Sequence, residues 1–284
     1  MDQGNQPFFY QADTAWTLTK KLTRSKISEY LDDCISSGFT VIQIHAVSKE
    51  EGPVANVEGQ VPFNPSDNIL RPNEAYWKNV DFIVGEAQTR GLLVAMSALW
   101  IRWGGRDEEG WRYQLNDDNA RQYGRFLGKR YRRYPNVLWI LGGDANPIER
   151  THAIALLAEG IHDEMPGALI TVHNHPDFSS ASFFDSQSWL GVNLAYTYQE
   201  VYIHVAGEAS RLGGQRPIIL GESGYEEENN DGRGGSPFRV RRQAYEAILN
   251  GALGGHAYGH RSIWRFAPDW SEALKAPGRS SMNS

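Results

Sequence analysis

Short runs of β-branched and aromatic residues alternate along this chain with longer stretches whose apolar residues recur every three or four positions. Phe8-Phe9-Tyr10-Gln11-Ala12 opens the series as a strand. Residues 25–37 follow as a helix, with Ile27, Tyr30, Leu31 and Cys34 on one face and Gly38 as the stop. The pattern predicts further strands over 39–46, 92–99, 169–172, 192–196 and 255–258, and others starting at Val137 and after Pro217. Between them it predicts helices over 75–90, 119–134, 148–164, 199–212 and 236–253.

Eight strands alternating with helices favour a closed (β/α)8 barrel, a TIM barrel of the α/β class, over an open doubly wound sheet. No Gly-x-Gly-x-x-Gly follows the first strand, which counts against a dinucleotide fold. Residues 1–275 read as one barrel domain, and residues 276–284, rich in Pro, Gly, Ser and Asn, as a loose tail. Two connections are long: 47–73, and 101–118 with Trp103 and Trp111. Both follow strands, so both belong on the face where a parallel barrel carries its chemistry.

On that face two acids stand out. Asp144 ends Val137-Leu138-Trp139-Ile140-Leu141-Gly142-Gly143, and Glu222 ends Pro217-Ile218-Ile219-Leu220-Gly221. A glycine before each acid suggests a sharp turn. Asp144 could cap a helix, but Pro147 suits a first helical position and makes Asn146 the better cap. A carboxylate ending an apolar strand must be paired, solvated or functional. Glu226, Glu227, Glu228 and Asp231 lie in a polar loop and read instead as a solvated face. Two strand-end carboxylates with unlike proton affinities are what glycoside hydrolysis requires: one attacks or stabilises the sugar's cationic centre, the other protonates the leaving oxygen.

Histidine offers a competing signal. His45 ends the second strand, His173 and His175 follow the fifth, and His256 and His260 flank the eighth. On an extended strand His173 and His175 face one side, as a metal pair would, so a metal-dependent hydrolase is one alternative. A carbohydrate-binding barrel without catalysis is another. In the glycosidase reading Asp13, Trp16, His45, Trp100, His173, His175, Tyr196, Tyr198, His256 and Tyr258 hold the sugar by hydrogen bonds and ring stacking, and no metal or cofactor is needed. The basic run Arg125, Lys129, Arg130, Arg132 and Arg133 reads as the wet side of an outer helix.

Composition narrows the field further. With 284 residues, 40% hydrophobic and 22% charged, the chain has an ordinary globular balance, and a net charge of -6 is the wrong sign for nucleic acid. No apolar run approaches the ~20 residues of a membrane span. The single cysteine, Cys34, excludes an intrachain disulfide. The expected partner is a carbohydrate, with neither nucleic acid nor membrane, and self-association stays open. The N-terminal residues lack a secretion signal, which leaves a cytoplasmic protein, or a secreted or periplasmic one whose signal has been removed.

Five stretches, in order along nearly the whole chain, carry a family resemblance: Ala12-Asp13-Thr14-Ala15-Trp16; Tyr76-Trp77-Lys78-Asn79-Val80-Asp81; Leu138 to Asp144; Gly221-Glu222-Ser223-Gly224-Tyr225-Glu226; and Gly255-His256-Ala257-Tyr258-Gly259-His260-Arg261-Ser262-Ile263-Trp264. With them the chain resembles the apiosidase-like glycoside hydrolases (family 140-like, also described as a collagenase-type catalytic barrel). The resemblance implies a (β/α)8 fold, Asp144 as acid/base, Glu222 as nucleophile, and removal of a terminal furanose such as apiose or arabinose. The chain departs from the family at Tyr196-Thr197-Tyr198-Gln199, where the family carries a Gln-Ser-Gly-His type of ending. Of the fifth-strand ending His173-Asn174-His175-Pro176 it keeps only His175-Pro176. Both departures fall where a sugar is held.

Overall fold

The computed structural model describes residues 7–102, 110–229 and 232–282. Its centre is a barrel of eight parallel strands: β1 (Tyr10–Thr14), β2 (Val41–His45), β3 (Leu93–Ser97), β4 (Val137–Gly142), β5 (Leu169–His173), β6 (Asn193–Tyr196), β7 (Ile218–Glu222) and β8 (Gly255–Tyr258). The strands pair in the order β5-β4-β3-β2-β1-β8-β7-β6. Around them run α1 (Leu18–Lys21), α2 (Arg24–Ser36), α3 (Glu74–Thr89), α4 (Ala120–Tyr131), α5 (Thr151–Glu164), α6 (Ala181–Phe184), α7 (Val201–Leu212), α8 (Pro237–Leu249), α9 (Arg261–Trp264), α10 (Trp270–Ala273) and α11 (Pro277–Ser281). The predicted (β/α)8 architecture is the one observed.

The barrel closes between β5 and β6 with the help of side chains. Ser180 Oγ donates to the Val172 carbonyl (2.6 Å) and accepts from the Leu194 amide (2.9 Å), while Thr171 Oγ1 donates to the Val192 carbonyl (2.9 Å). These bonds occupy backbone groups that a full ladder would otherwise pair.

Strand alternation divides the core. Tyr10, Ala12, Val41, Leu138, Ile140 and Ile219 fill the barrel interior. Ile42, Trp139, Leu141, Ile218 and Leu220 point outward into the larger layer beneath the helices. The long 47–73 connection is anchored there as well: Phe63 packs edge-on against Trp111 (5.3 Å) and against Tyr123 (5.8 Å). Trp111 is thus a core residue, and Trp103 lies outside the described residues.

Two expectations fail. The first strand begins at Tyr10 rather than Phe8, because pairing with β8 starts at the Tyr10–Gly255 register. The expected loose tail is ordered through residue 282: α11 lies over the barrel and buries Arg279. Arg279 pairs with Asp13 (3.0 Å) and Asp33 (2.5 Å), and its guanidinium covers the Phe39 ring at 4.8 Å. Burial pushes the Asp13 carboxyl above its usual range, and the Arg279 charge works against that shift.

Removing one member of a buried pair strands the other charge, at a cost of about 3–5 kcal/mol. Arg279→Met should therefore lower unfolding stability by about that amount in urea titrations, and adding Asp13→Asn should recover part of it. Unchanged stability in Arg279→Met would show that the pair does not hold the tail.

Candidate active site

The end of β4 turns through three successive residues of positive φ: Gly142 (78°), Gly143 (129°) and Asp144 (29°). For Asp144 this left-handed backbone is strained, a cost that a well-determined surrounding must offset. Gly143 is required on a second count, since a Cβ there would sit 2.5 Å from the Trp100 ring. As expected, Asn146 does the capping: its Oδ1 accepts from the Ile148 amide at 3.1 Å.

At β7 the device is different. Leu194 pairs with Ile219 and Ala195 with Leu220, but Tyr196 pairs with Glu222, which leaves Gly221 as an extra residue. Ile219 faces the barrel interior and Leu220 the helices. Strict alternation would therefore point Glu222 at the helices; the bulge turns it back into the barrel. Gly221 does not serve as a turn glycine. It lacks a side chain where a Cβ would collide with Leu194 at 2.3 Å. Its carbonyl accepts from Gln43 Nε2 (3.1 Å), and Gln43 is itself held by Tyr10 (2.8 Å) and Thr14 (3.0 Å).

Asp144 and Glu222 line one pocket of about 390 Å³. A tyrosine pair connects them: Tyr196 donates to Asp144 Oδ1 (3.1 Å), Tyr198 donates to Glu222 Oε1 (3.1 Å), and their rings meet edge to face at 5.2 Å. Burial, reinforced by the Glu222 charge, holds both phenols well above their usual pKa, so they remain donors. The other Glu222 oxygen lies 2.9 Å from His173 Nε2, and His173 Nδ1 lies 3.1 Å from the Asn174 carbonyl. Glu222 is thus buried with both oxygens engaged.

Aromatic groups form the walls. Trp16 and Trp100 face the pocket, and the Trp16 indole donates to the Tyr225 hydroxyl (3.0 Å). His45 packs against both tryptophans, 4.7 Å from Trp16 and 4.6 Å from Trp100, and the two indoles also meet each other at 5.2 Å. Burial, with the neighbouring His173 and Lys20, pushes the His45 imidazole well below its usual pKa, so its 3.5 Å approach to Glu50 is not an ion pair. His45 backs the wall and does not line the pocket. His175 lines the mouth and is exposed.

Several expected sugar contacts lie elsewhere. Asp13, His256 and Tyr258 are absent from the pocket lining, and His173, like His45, is fully buried behind it, so His173 holds Glu222 rather than the sugar. Asp13 faces outward to Arg279 and Cys34. His256 shares register with the outward Leu220 and meets the Phe9 ring at 6.0 Å; burial lowers its pKa to about 4. Tyr258 donates to Glu226 Oε2 at 2.5 Å. His173 and His175 do not form the metal pair that alternation suggests, because β5 ends at His173 and the two rings have separate surroundings. Among the described residues no three His, Cys, Asp or Glu side chains converge as metal ligands.

The solvated acidic loop also needs correction. Glu226 is buried beneath α11, accepting from the Gly278 and Arg279 amides (2.9 and 3.2 Å), and Glu228 lines the pocket. Glu227 is exposed as expected, and Asp231 lies outside the described residues. Sequence reading missed Glu50, Arg102, Pro176, Tyr225, Glu228 and Trp264 as lining residues. Tyr225 and Trp264 stand within the family-like stretches and could have been taken from them.

A (β/α)8 barrel with two strand-end carboxylates in one aromatic-walled pocket is a glycosidase-type site. A model of the family described as "Apiosidase-like, catalytic domain" matches residues 1–284, and the chain belongs to that family. Similar solved structures include a protein titled "Glycoside hydrolase", 28% identical with a TM-score of 0.86, covering 99% of this chain and 70% of that one. A glycoside hydrolase family 5 protein from Bacteroides vulgatus ATCC 8482 is 27% identical, with a TM-score of 0.86 and coverage of 99% and 67%. An endo-1,4-beta-mannanase from Rhizomucor miehei shares the fold at 14% identity, with a TM-score of 0.67 and coverage of 95% and 96%. No curated protein matches the chain. The protein is a glycosidase, and its substrate is a carbohydrate.

If the bulge aims Glu222, its support should matter to both stability and turnover. Gln43→Met removes the donor to the Gly221 carbonyl and should cost about 1–3 kcal/mol in denaturant unfolding. It should also lower kcat more than it changes KM. Wild-type values for both would show that Gln43 does not hold the bulge.

Proposed function

We propose that this glycosidase is retaining and exo-acting, and that it removes a terminal furanose-type sugar, apiose- or arabinose-like, from a plant glycoside or glycan. Glu222 attacks the anomeric carbon while Asp144 protonates the departing oxygen. Asp144 then takes a proton from water, which attacks the same carbon and releases Glu222. The observation that carries this reading is the shared pocket in which Tyr196 and Tyr198 tie the two acids to one another. The bonds from His173 and Tyr198 fix both Glu222 oxygens, the preorganisation a nucleophile needs.

A cavity of about 390 Å³ lined by Trp16 and Trp100 suits a terminal sugar better than an extended chain. The furanose preference rests on the apiosidase-like family description. The departure at Tyr196-Thr197-Tyr198 falls on the side chains that hold the acids, so the sugar can differ from the family's while the acid pair is kept.

A panel of nitrophenyl glycosides that includes an apioside and an arabinofuranoside should yield one substrate whose first-formed product keeps its anomeric configuration by NMR. On that substrate Glu222→Ala should reduce kcat by roughly three or more orders of magnitude with the fold intact by circular dichroism. Near-normal turnover of the variant would remove Glu222 from the mechanism, and an inverted product would remove the nucleophilic step.

A further inference from the structure

The loop after β7 sends three successive glutamates to three different places. Glu227 has a left-handed backbone (φ 60°), and its amide donates to the Gly235 carbonyl at 2.8 Å. A Cβ on Gly235 would lie 1.9 Å from the Tyr225 carbonyl oxygen and 2.8 Å from the amide nitrogens of Glu227 and Glu228. The turn is therefore pressed against bare backbone and has little room to unwind. Glu226 goes beneath α11, and Glu227 goes to the surface, 3.6 Å from His260. Glu228, its amide bonded to the Tyr225 carbonyl (3.3 Å), folds back and joins Asp144 and Glu222 in lining the pocket.

We propose that Glu228 is a substrate-binding residue: it takes hydroxyl groups of an uncharged glycone lying against Glu222, and it turns away sugars that carry a carboxylate. This rests on the glycosidase reading above and names the sugar class that the site admits. Among the described residues four carboxylates line the pocket (Glu50, Asp144, Glu222 and Glu228) against one guanidinium, Arg102. A uronic acid would add a further carboxylate to a partly desolvated space already lined by acids. A neutral sugar brings donors instead, and sugar hydroxyls are the natural complement of a half-buried carboxylate.

The groups around Glu228 make this interaction sensitive to pH. Glu222 faces it from β7, Tyr225 from its own loop, and Glu50 and Asp144 line the same cavity. Trp264 lines the cavity from α9, where Arg261 also lies, and Arg265, paired with Glu51 at 3.7 Å, follows. Burial first and the Glu222 charge second push the Glu228 carboxyl up to about 7, with Arg265, Trp264 and Arg261 opposing. Its ionised form, the stronger hydroxyl acceptor, therefore grows as pH rises through neutrality.

The test is the pH dependence of kcat/KM on the best neutral nitrophenyl glycoside for wild type, Glu228→Gln and Glu228→Asp. Wild type should rise through an inflection near pH 7 and leave the matching uronide uncleaved. Glu228→Gln should melt like wild type, lose about 10- to 100-fold in kcat/KM, mostly through KM, and lose the inflection. Glu228→Asp should weaken binding yet keep an inflection. If Glu228→Gln stays within about twofold of wild type with its inflection intact, the assignment is overturned, while loss of turnover in Glu222→Ala still upholds the glycosidase reading. Uronide cleavage matching the neutral glycoside overturns the charge filter. No turnover of any glycoside by wild type overturns both readings.

Discussion

One extra residue in one strand determines where this site can exist. Without the bulge at Gly221, the two-residue period of β7 would direct Glu222 at the helices, beside Ile218 and Leu220. With it, Glu222 enters the barrel mouth, but as a carboxylate taken out of water, and a buried charge is tolerated only when its oxygens are occupied. His173 and Tyr198 occupy them, and Gln43 takes the carbonyl that the bulge frees. The interior of the barrel is polar at Tyr10, Thr14 and Gln43 for this reason.

The same logic extends outward in shells. Tyr196 and Tyr198 remain donors because burial and the Glu222 charge make losing their protons costly, and each donor serves one acid. His45 is held neutral against Trp16 and Trp100, which lets it pack as a ring rather than stand as a charge. On the far side of the loop Glu226 ties the chain that carries Glu222, Tyr225 and Glu228 to α11. The helix that closes over Arg279 is thus joined by hydrogen bonds to the loop that lines the pocket.

Much of this was legible in the residues. The strand-end acids could be found because each follows an apolar run and a glycine, and the Asn146-Pro147 cap could be inferred from helix-start chemistry alone. The two-residue period of the strands carries the places of Asp13 and Tyr258: with Tyr10 and Ala12 inward, Asp13 faces outward, and with Ala257 inward so does Tyr258. The bulge was not legible, because Gly221 resembles a turn glycine and only pairing with β6 shows the skipped register. Nor were the fates of Glu226 and Glu228, which depend on the left-handed backbone of Glu227. Composition alone predicts a loose tail, because the contacts that order it, Arg279 with Asp13 and Asp33 and Glu226 with the amides of α11, are not visible in composition.

The most direct measurement is active-site trapping. The protein would be treated with an activated 2-deoxy-2-fluoro analogue of its best glycoside, digested, and the labelled peptide sequenced by mass spectrometry. A glycosyl ester on Glu222 is the expected result. A label on Asp144 or Glu228, or turnover of the analogue with no label on any carboxylate, would contradict the account.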